Sequence, residues 1–244
     1  AAPAPLFPLK KRTAHGLALL SGLLYFLAFP GVDLWPLAFV AWVPLIVALR
    51  GQTPRTGAAL GWTAGFTMTM CGFYWLLEML KTFSGFPTAL CLVFMSILCA
   101  YQAGRVALCG WLHARAADRG WPTNVAFAGA FVASELLFPL LFPWAYAATV
   151  HQVPPLLQLA ELGGPIAVGL PLVAANLALA ELLLARLERR QPARRMMAAL
   201  AAAPLVAALY GFVRIPMVDA QTRAAPKARV GIVQANMSLM GKRR

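Results

Sequence analysis

The sequence predicts an all-α integral membrane helical bundle of about seven transmembrane segments, the first two short, followed by the first strand of a truncated α/β domain. Composition is the first observation behind this prediction, since 61% of the 244 residues are hydrophobic and only 12% are charged. Soluble domains are about 45–50% apolar and about 25% charged. The second is that the apolar residues form long runs, and about 20 such residues cross a bilayer as a helix. The third is a change after Arg214, where a polar stretch precedes one short apolar run.

Seven apolar segments follow one another along the chain. They cover residues 14–30, 34–49, 56–80, 87–112, 122–143, 164–186 and 196–213. The first two are short for full spans and are separated only by Gly31-Val32-Asp33. They therefore form a tight hairpin that either crosses the membrane twice or only dips into it. Both alternatives leave the later segments in the same orientation.

The basic residues lie almost entirely on one side of these segments. The net charge is +13, and the opposite short loops hold only Lys81. The basic side carries Lys10, Lys11, Arg12, Arg50, Arg55, Arg115, Arg119, Arg186, Arg189, Arg190, Arg194 and Arg195. By the positive-inside rule, the N-terminus is cytoplasmic and the chain after the seventh segment emerges outside. Because these charges sit in short loops between apolar runs, they favour membrane topology over nucleic-acid binding.

Two loops face outward in this topology, residues 81–87 and 144–164. In the second, prolines 154–155 and glycines 163–164 bracket a predicted short helix. Its leucines predict that it lies on, or dips into, the outer membrane surface.

The C-terminal part gives the domain organisation. Residues 1–214 form the predicted membrane domain, residues 215–228 a linker, and residues 229–244 the start of an outward-facing soluble domain. Within the last of these, residues 229–236 have the pattern of a short buried strand. A lone strand has no stability of its own, so we expect the rest of that domain to lie beyond the given sequence.

Glu135 is the most informative single residue, because it interrupts the apolar run 125–142 just before Phe142-Pro143-Trp144. An ionisable side chain inside a membrane segment is costly and marks a functional site by default. Glu135 either orients or gates lipid, or it only ties helices together, since interhelical polar contacts are worth about 0.6–2 kcal/mol. Glu78 has the same ambiguity, and its i,i+3 spacing predicts a weak ion pair with Lys81.

Several aromatic residues map near the outer interface. They form either an ordinary aromatic belt or a surface for lipid, and they are Phe83, Trp144, Tyr74, Trp75 and Tyr146. Arg105 is placed toward the cytoplasmic end of the fourth segment, where a long side chain can snorkel, and is assigned no function. Cys71, Cys91, Cys99 and Cys109 lie inside apolar runs and are expected to act as small apolar residues. We predict no metal site and no cofactor.

Seven short motifs occur in one order along the chain. They are Leu27-Ala28-Phe29-Pro30 with Asp33-Leu34-Trp35-Pro36, Gly72-Phe73-Tyr74-Trp75, Phe83-Ser84-Gly85-Phe86-Pro87, Ser134-Glu135, Phe142-Pro143-Trp144, Pro155-Leu156-Leu157-Gln158-Leu159-Ala160 with Gly163-Gly164, and Val230-Gly231-Ile232-Val233-Gln234-Ala235-Asn236. From about residue 15 onward the chain resembles the bacterial apolipoprotein N-acyltransferase family. The resemblance covers the membrane domain and the first strand of the family's nitrilase-like domain.

The resemblance implies an acyltransferase. In this family a phospholipid acyl chain moves to a cysteine of the nitrilase-like domain and then to the N-terminal amine of the lipid-modified cysteine of an apolipoprotein. The implied partners are a phospholipid donor, an apolipoprotein acceptor and membrane lipid, with no nucleic acid. The resemblance also implies a multi-pass protein of the bacterial inner membrane, which we expect to be a monomer. The family's catalytic glutamate, lysine and cysteine would lie beyond residue 244, so no catalytic residue is expected in this chain.

The resemblance also bears on individual residues. Phe83 and Trp144 match family positions that line the acyl entrance, and Tyr74, Trp75, Glu135 and Tyr146 complete the predicted substrate-binding set. Relatives often carry an arginine between the glutamate and the Phe-Pro-Trp step, whereas residues 136–141 here contain no basic residue. A headgroup contact through such an arginine is therefore not expected.

Two other functions remain open from sequence. One is a non-enzymatic scaffold or transporter-like module, although the chain has neither the internal repeat nor the paired broken helices of many transporters. The other is a membrane subunit that binds a separately encoded nitrilase-like chain.

Overall fold

The computed structural model describes residues 7–234, which form ten α-helices and two short 3-10 turns and contain no β-strand. The helices are α1 (Lys11–Leu27), α2 (Val43–Leu49), α3 (Pro54–Gly72), α4 (Trp75–Ser84), α5 (Thr88–Gln102), α6 (Gly104–Ala117), α7 (Thr123–Leu137), α8 (Pro154–Leu157), α9 (Ala160–Leu187) and α10 (Arg194–Ala224). The 3-10 turns cover Trp35–Phe39 and Tyr146–Val150. An all-helical chain with several apolar helices confirms the predicted membrane bundle at this level.

Three stretches are long and apolar enough to cross a membrane, namely 88–117, 160–187 and 194–224. The first combines α5 and α6, which run on through the helical residue Ala103. Two shorter apolar stretches cover Trp35–Leu49 and Thr123–Leu137. Seven complete spans are therefore not confirmed.

Several predicted segments are broken where the backbone cannot continue a helix. Segment 56–80 is divided into α3 and α4 at Phe73-Tyr74. Segment 122–143 is helical only to Leu137, and Phe138 is extended, with φ −84° and ψ 118°. Pro139 explains this break, because proline disfavours the helical conformation of the residue before it and interrupts the hydrogen bonds of a helix.

The second predicted segment is also irregular, because a 3-10 turn precedes the seven-residue α2. Each piece is about 10 Å long, whereas the hydrocarbon core is about 30 Å thick. Asn176 of α9 satisfies the backbone here: its side chain accepts a hydrogen bond from Trp42 N and donates one to Ala38 O, both at 2.8 Å. Irregular backbone at membrane depth requires such internal partners.

Helices α3 and α6 pack at very close range because glycine lines their contact. Gly57, Gly61 and Gly65 repeat every four residues along one face of α3. A Cβ at Gly61 would overlap the backbone carbonyl of Val106 on α6. Small residues at this spacing allow helix backbones to approach each other in membranes. This contact fixes α6, and with it Arg105.

The loop after residue 144 contains only part of its predicted helix. Helix α8 is four residues long, and α9 begins at Ala160 but breaks at Gly163-Gly164, where Gly164 has φ 63°. A positive φ is readily adopted by glycine. Leu156 is buried in the hydrophobic core, so this segment packs against the rest of the protein.

Helix α10 continues to Ala224 and so includes the first ten residues of the predicted linker 215–228. The polar composition used for that prediction does not distinguish an exposed helix from a linker. Residues 225–234 have no regular secondary structure, and Val230, Ile232 and Val233 are exposed. The strand predicted for 229–236 is thus absent over 229–234, and residues 235–236 lie outside the described part. The division into domains stays a prediction.

Candidate functional site

The segment after α7 is held in place by one turn at the junction of α5 and α6. The Tyr101 hydroxyl donates to Pro139 O at 2.6 Å, and Gln102 donates to Phe142 O at 3.0 Å. Gln102 also accepts a hydrogen bond from Leu141 N at 2.9 Å. These bonds replace the helical hydrogen bonds that end at Leu137, and they fix the course of the chain into Pro143-Trp144.

Arg105 completes this turn and forms a buried ion pair with Glu135. The Arg105 Nη1 to Glu135 Oε1 distance is 2.9 Å, and the side chains are 3% and 8% exposed. The expectation that Arg105 snorkels toward the cytoplasm is therefore wrong. Its charge is compensated by Glu135 inside the bundle, which meets the rule that buried charges in membranes pair with one another.

The same guanidinium holds Trp144. Arg105 Nη1 donates to the Trp144 carbonyl at 2.7 Å, and Arg105 Cζ lies 3.6 Å from the centre of the Trp144 ring. That distance is within the range of a cation–π contact. One arginine from α6 thus contacts both Glu135 and Trp144.

An aromatic path connects Trp144 with the protein surface. The Trp144 ring packs on Phe29, with 6.0 Å between ring centres, and Phe29 packs on Phe73 at 6.5 Å. Phe73 and Phe142 both contact Trp75, which is 42% exposed. Two of the predicted residues, Trp75 and Trp144, thus belong to one aromatic cluster, which continues from Trp144 to Tyr25 at 5.5 Å between ring centres.

Of the other predicted aromatic residues, Tyr74 and Phe83 lie outside this cluster, and Tyr146 joins it through Tyr25. Tyr74 and Phe83 are 65% and 58% exposed, and neither makes a ring contact with this cluster among the described residues. Tyr146 is buried, and its hydroxyl donates to Ala38 O. Its place in the core, between Tyr25 and Trp42, disagrees with a position in an interfacial belt. Glu78 pairs with Lys81 at 3.0 Å on the exposed surface, as predicted.

A cavity of about 440 Å³ borders Glu135 and Trp144. In the described part of the chain, Glu135 and Trp144 are the only lining residues with polar side-chain atoms. The lining consists of Glu135, Phe138, Leu140, Pro143, Trp144, Ala145, Pro165 and Ile166. Pockets of about 300–1,000 Å³ with few polar groups are typical of small-molecule sites. The Trp144 Nε1 is buried and has no hydrogen-bond partner within residues 7–234.

The cavity is suited to binding an apolar chain that has one polar end.

Among the four cysteines, Cys91, Cys99 and Cys109 are buried and Cys71 is half-buried. Residues 7–234 contain no cluster of three His, Cys, Asp or Glu side chains with metal-binding geometry. Among the described residues, those that line this cavity include no cysteine.

Sequence reasoning missed Tyr101 and Gln102, and it named Arg105 but gave it no function. The available signal was their spacing, because three polar residues at i, i+1 and i+4 fall within little more than one turn of an otherwise apolar segment. Polar residues inside membrane segments face protein or cavities, so this turn would have identified the helix face that contacts the Phe-Pro-Trp step.

Comparison with known proteins gives the family. Residues 21–178 match the model of the apolipoprotein N-acyltransferase N-terminal domain. The chain is 28% identical over 240 residues to the apolipoprotein N-acyltransferase of Geobacter metallireducens, which covers 96% of this chain and 45% of the relative. The chain is 32% identical over 189 residues to the protein of the same name from Pseudomonas putida, an alignment that covers 72% of this chain and 35% of the relative. For the Pseudomonas syringae protein the identity is 33% over 201 residues, covering 79% of this chain and 39% of the relative.

The chain therefore spans less than half the length of these curated relatives. The family model nevertheless matches more than half of the chain and includes Arg105, Glu135 and Trp144. The chain belongs to the apolipoprotein N-acyltransferase family and corresponds to its N-terminal domain.

Proposed function

We propose that this chain is the membrane domain of an enzyme that moves an acyl chain from a phospholipid to the N-terminal amine of a lipid-modified apolipoprotein cysteine. Its role is to bind the acyl chains and present the reacting ester at the outward face of the bacterial inner membrane. The observation that carries this proposal is the cavity beside Trp144, in a chain of this family. A scaffold or transporter-like role has no comparable support.

The residues around the cavity divide the binding task. Phe138, Leu140 and Ile166 offer apolar surface for an acyl chain. When lipid is bound, the Trp144 N–H, which has no partner among the described residues, is proposed to donate a hydrogen bond to an ester or amide carbonyl. Arg105 and Glu135 hold the indole at this position and are positioning residues. Trp75, Tyr74 and Phe83 are proposed to guide lipid from the membrane surface, and Tyr146 supports the cluster from the core.

The proposed orientation has the N-terminus in the cytoplasm. Arg50, Thr123 and Glu188 meet at one end of the bundle, with Arg50 donating to both partners. Contact among the ends of α2 and α9 and the start of α7 supports a common side for the basic loops. The positive-inside rule makes that side cytoplasmic.

The chemical step is proposed to occur in a nitrilase-like domain to which residues 229–244 belong. A nucleophilic thiol needs an adjacent base or a lowered pKa, and burial of Cys91, Cys99 and Cys109 supports a structural role for them. We expect the run 229–236 to form a strand only when neighbouring strands are present.

The test is acyl transfer by a full-length protein that contains this chain, from a fluorescent-acyl phospholipid to a lipid-modified N-terminal cysteine peptide. We expect Trp144→Ala to lower kcat/KM by about ten- to a hundredfold, because misplaced reactants cost rates of this order. Trp144→Phe keeps the ring but removes the N–H, so an intermediate loss is expected.

Trp111→Ala is the matched control, since Trp111 is a 40% exposed indole of α6 that lines none of the cavities described above. Membrane insertion of all three variants is checked by yield and melting temperature. Transfer by Trp144→Ala equal to that of Trp111→Ala would refute the role of Trp144.

A further inference from the structure

A long apolar groove runs along the outside of the bundle between α7, α9 and α10. Its volume is about 990 Å³. It extends along α7 from Asn124 to Leu137, which corresponds to about 20 Å. Apart from Trp121 and Asn124 at one end, every lining residue is apolar, including Val132, Ala174 and Leu200. A groove of this length can hold an extended hydrocarbon chain.

A second, smaller cavity of about 260 Å³ lies next to the polar end of this groove. Asn124 and Leu177 line both spaces, so the two are adjacent. The smaller cavity is bordered by Glu181, Arg190 and Met196, from the end of α9, the following loop and the start of α10. Apolar walls therefore lead to a polar mouth.

The mouth lies in the most basic part of the chain. Arg190 binds Glu181 and Glu188, and Arg50 binds Glu188, so four charged groups there compensate one another. Four more arginines have no ion-pair partner among the described residues, and all four are exposed: Arg186, Arg189, Arg194 and Arg195. Arg194 and Arg195 lie between Ala193 and Met196, which line the mouth. This end thus carries positive charge that attracts an anion, whereas the groove next to it is lined by apolar groups.

We propose that this groove binds one anionic phospholipid, with its phosphate beside Arg194 and Arg195 and an acyl chain between α7, α9 and α10. Basic clusters next to membrane helices attract anionic headgroups. The adjoining groove offers apolar surface for an acyl chain, which a free phosphate does not have. The headgroup end of the groove is separate from the proposed acyl-transfer site, because Asn124 lies eleven residues from Glu135 along α7, whereas the other end of the groove, at Leu137, is next to that site in sequence. This lipid site does not depend on the proposed function.

Two pairs of variants separate the groove from the charge. Gly129 lines the groove, and a Cβ at this position meets no atom within 4 Å, so Gly129→Leu fills the groove without a clash at its base. Gly16 of α1 is equally unobstructed and lines neither space, so Gly16→Leu is its control. Arg194→Gln with Arg195→Gln removes two charges at the mouth, and Lys11→Gln with Arg12→Gln removes two charges at the start of α1.

The measurement is native mass spectrometry of the purified chain after exchange into micelles containing equal amounts of phosphatidylglycerol and phosphatidylcholine. We expect the unmodified chain to retain one phosphatidylglycerol per protein. The retained amount should be at least fivefold lower in the groove and mouth variants and unchanged in both controls. Phosphatidylglycerol, but not glycerol 3-phosphate, should raise the melting temperature of the unmodified chain. The melting temperature of each variant in lipid-free detergent shows whether that variant is folded. If Gly129→Leu does not fold, the Arg194→Gln, Arg195→Gln variant tests the proposal by itself.

Three results would overturn the proposal. They are equal retention of the two lipids, retention that both the groove and the mouth variants leave unchanged, and a dimer that buries the groove in place of lipid. Loss of acyl transfer in Trp144→Ala with normal phosphatidylglycerol retention would show that the two sites are independent.

Discussion

At the scale of single residues, the pairing of Arg105 with Glu135 explains why a charged residue is tolerated in each of two apolar segments. Both side chains are almost fully buried, and the arginine also bonds the Trp144 backbone. Removing one partner of a buried ion pair typically costs about 3–5 kcal/mol, whereas replacing both with apolar residues is often neutral. The pair is therefore expected to act through geometry more than through net stabilisation.

This expectation gives a prediction for a double-mutant cycle. Arg105→Met leaves the Glu135 carboxylate unpaired and should lower stability by about 3–5 kcal/mol. Arg105→Met with Glu135→Leu should recover most of this stability but not acyl transfer, because Trp144 loses its guanidinium contact. Melting temperature and transfer rate measure the two effects. A double variant as unstable as the single one, or one with full transfer, would contradict the positioning role.

The sequence named Glu135 and Trp144 as candidates, and their roles stay predictions, but it placed Arg105 wrongly for an identifiable reason. With the fourth segment taken as 87–112, Arg105 falls near its end, where snorkelling is expected. The helical stretch is in fact 88–117, so Arg105 lies near its middle and needs an internal partner. An error of five residues in one boundary thus reversed the interpretation of a charged side chain.

At the scale of elements, breaks in the apolar segments position the candidate site. Pro139 ends α7 where Tyr101 and Gln102 can bond the released backbone. Apolar runs predicted that these segments were helical, and Pro139 was a readable sign of the break. The partners across helices were not readable, because helical periodicity gives the face of a residue but not the neighbour that this face contacts.

The contact between α3 and α6 leads to a second prediction. Gly61→Val should displace α6, because the added side chain meets the Val106 carbonyl and has no flexible neighbour to move. Overpacking of this kind costs about 1–3 kcal/mol, and Arg105 would move with the helix. We expect a lower melting temperature and reduced acyl transfer in the full-length protein.

Gly16→Val is the control for this change, since it has the same β-branched side chain in a helix but open space around it. Equal melting temperatures for the two variants would mean that helix propensity, not interhelical contact, accounts for the loss.

At the scale of the whole molecule, ion pairs at both ends of the bundle connect elements that are distant in sequence. At one end, Arg50 joins Glu188 across 138 residues, and Arg190 joins the same carboxylate. At the other, Glu161 accepts hydrogen bonds from Tyr210 and Arg214. The sequence predicted which loops share a side from their charge, but not which charges pair, because those contacts depend on how α2, α7, α9 and α10 are arranged.

The Arg50–Glu188–Arg190 contact predicts a pH-dependent contribution to stability. Partial burial opposes ionisation of Glu188, but hydrogen bonds from Arg50 and Arg190 outweigh it and lower the pKa of Glu188 in the folded chain. A carboxyl group with a lowered folded pKa stabilises the fold above its unfolded pKa, about 4.3, and loses this contribution as the pH falls through the folded value.

Glu188→Gln should therefore melt about 2–4 °C below the unmodified chain at pH 7, which corresponds to roughly 1 kcal/mol for a partly exposed pair. The difference should remain constant down to about pH 5 and disappear at lower pH. Thermal unfolding in detergent at intervals from pH 7 to pH 3 measures it. A difference that persists unchanged at pH 3 would show that Glu188 stabilises this end by packing instead of by its charge.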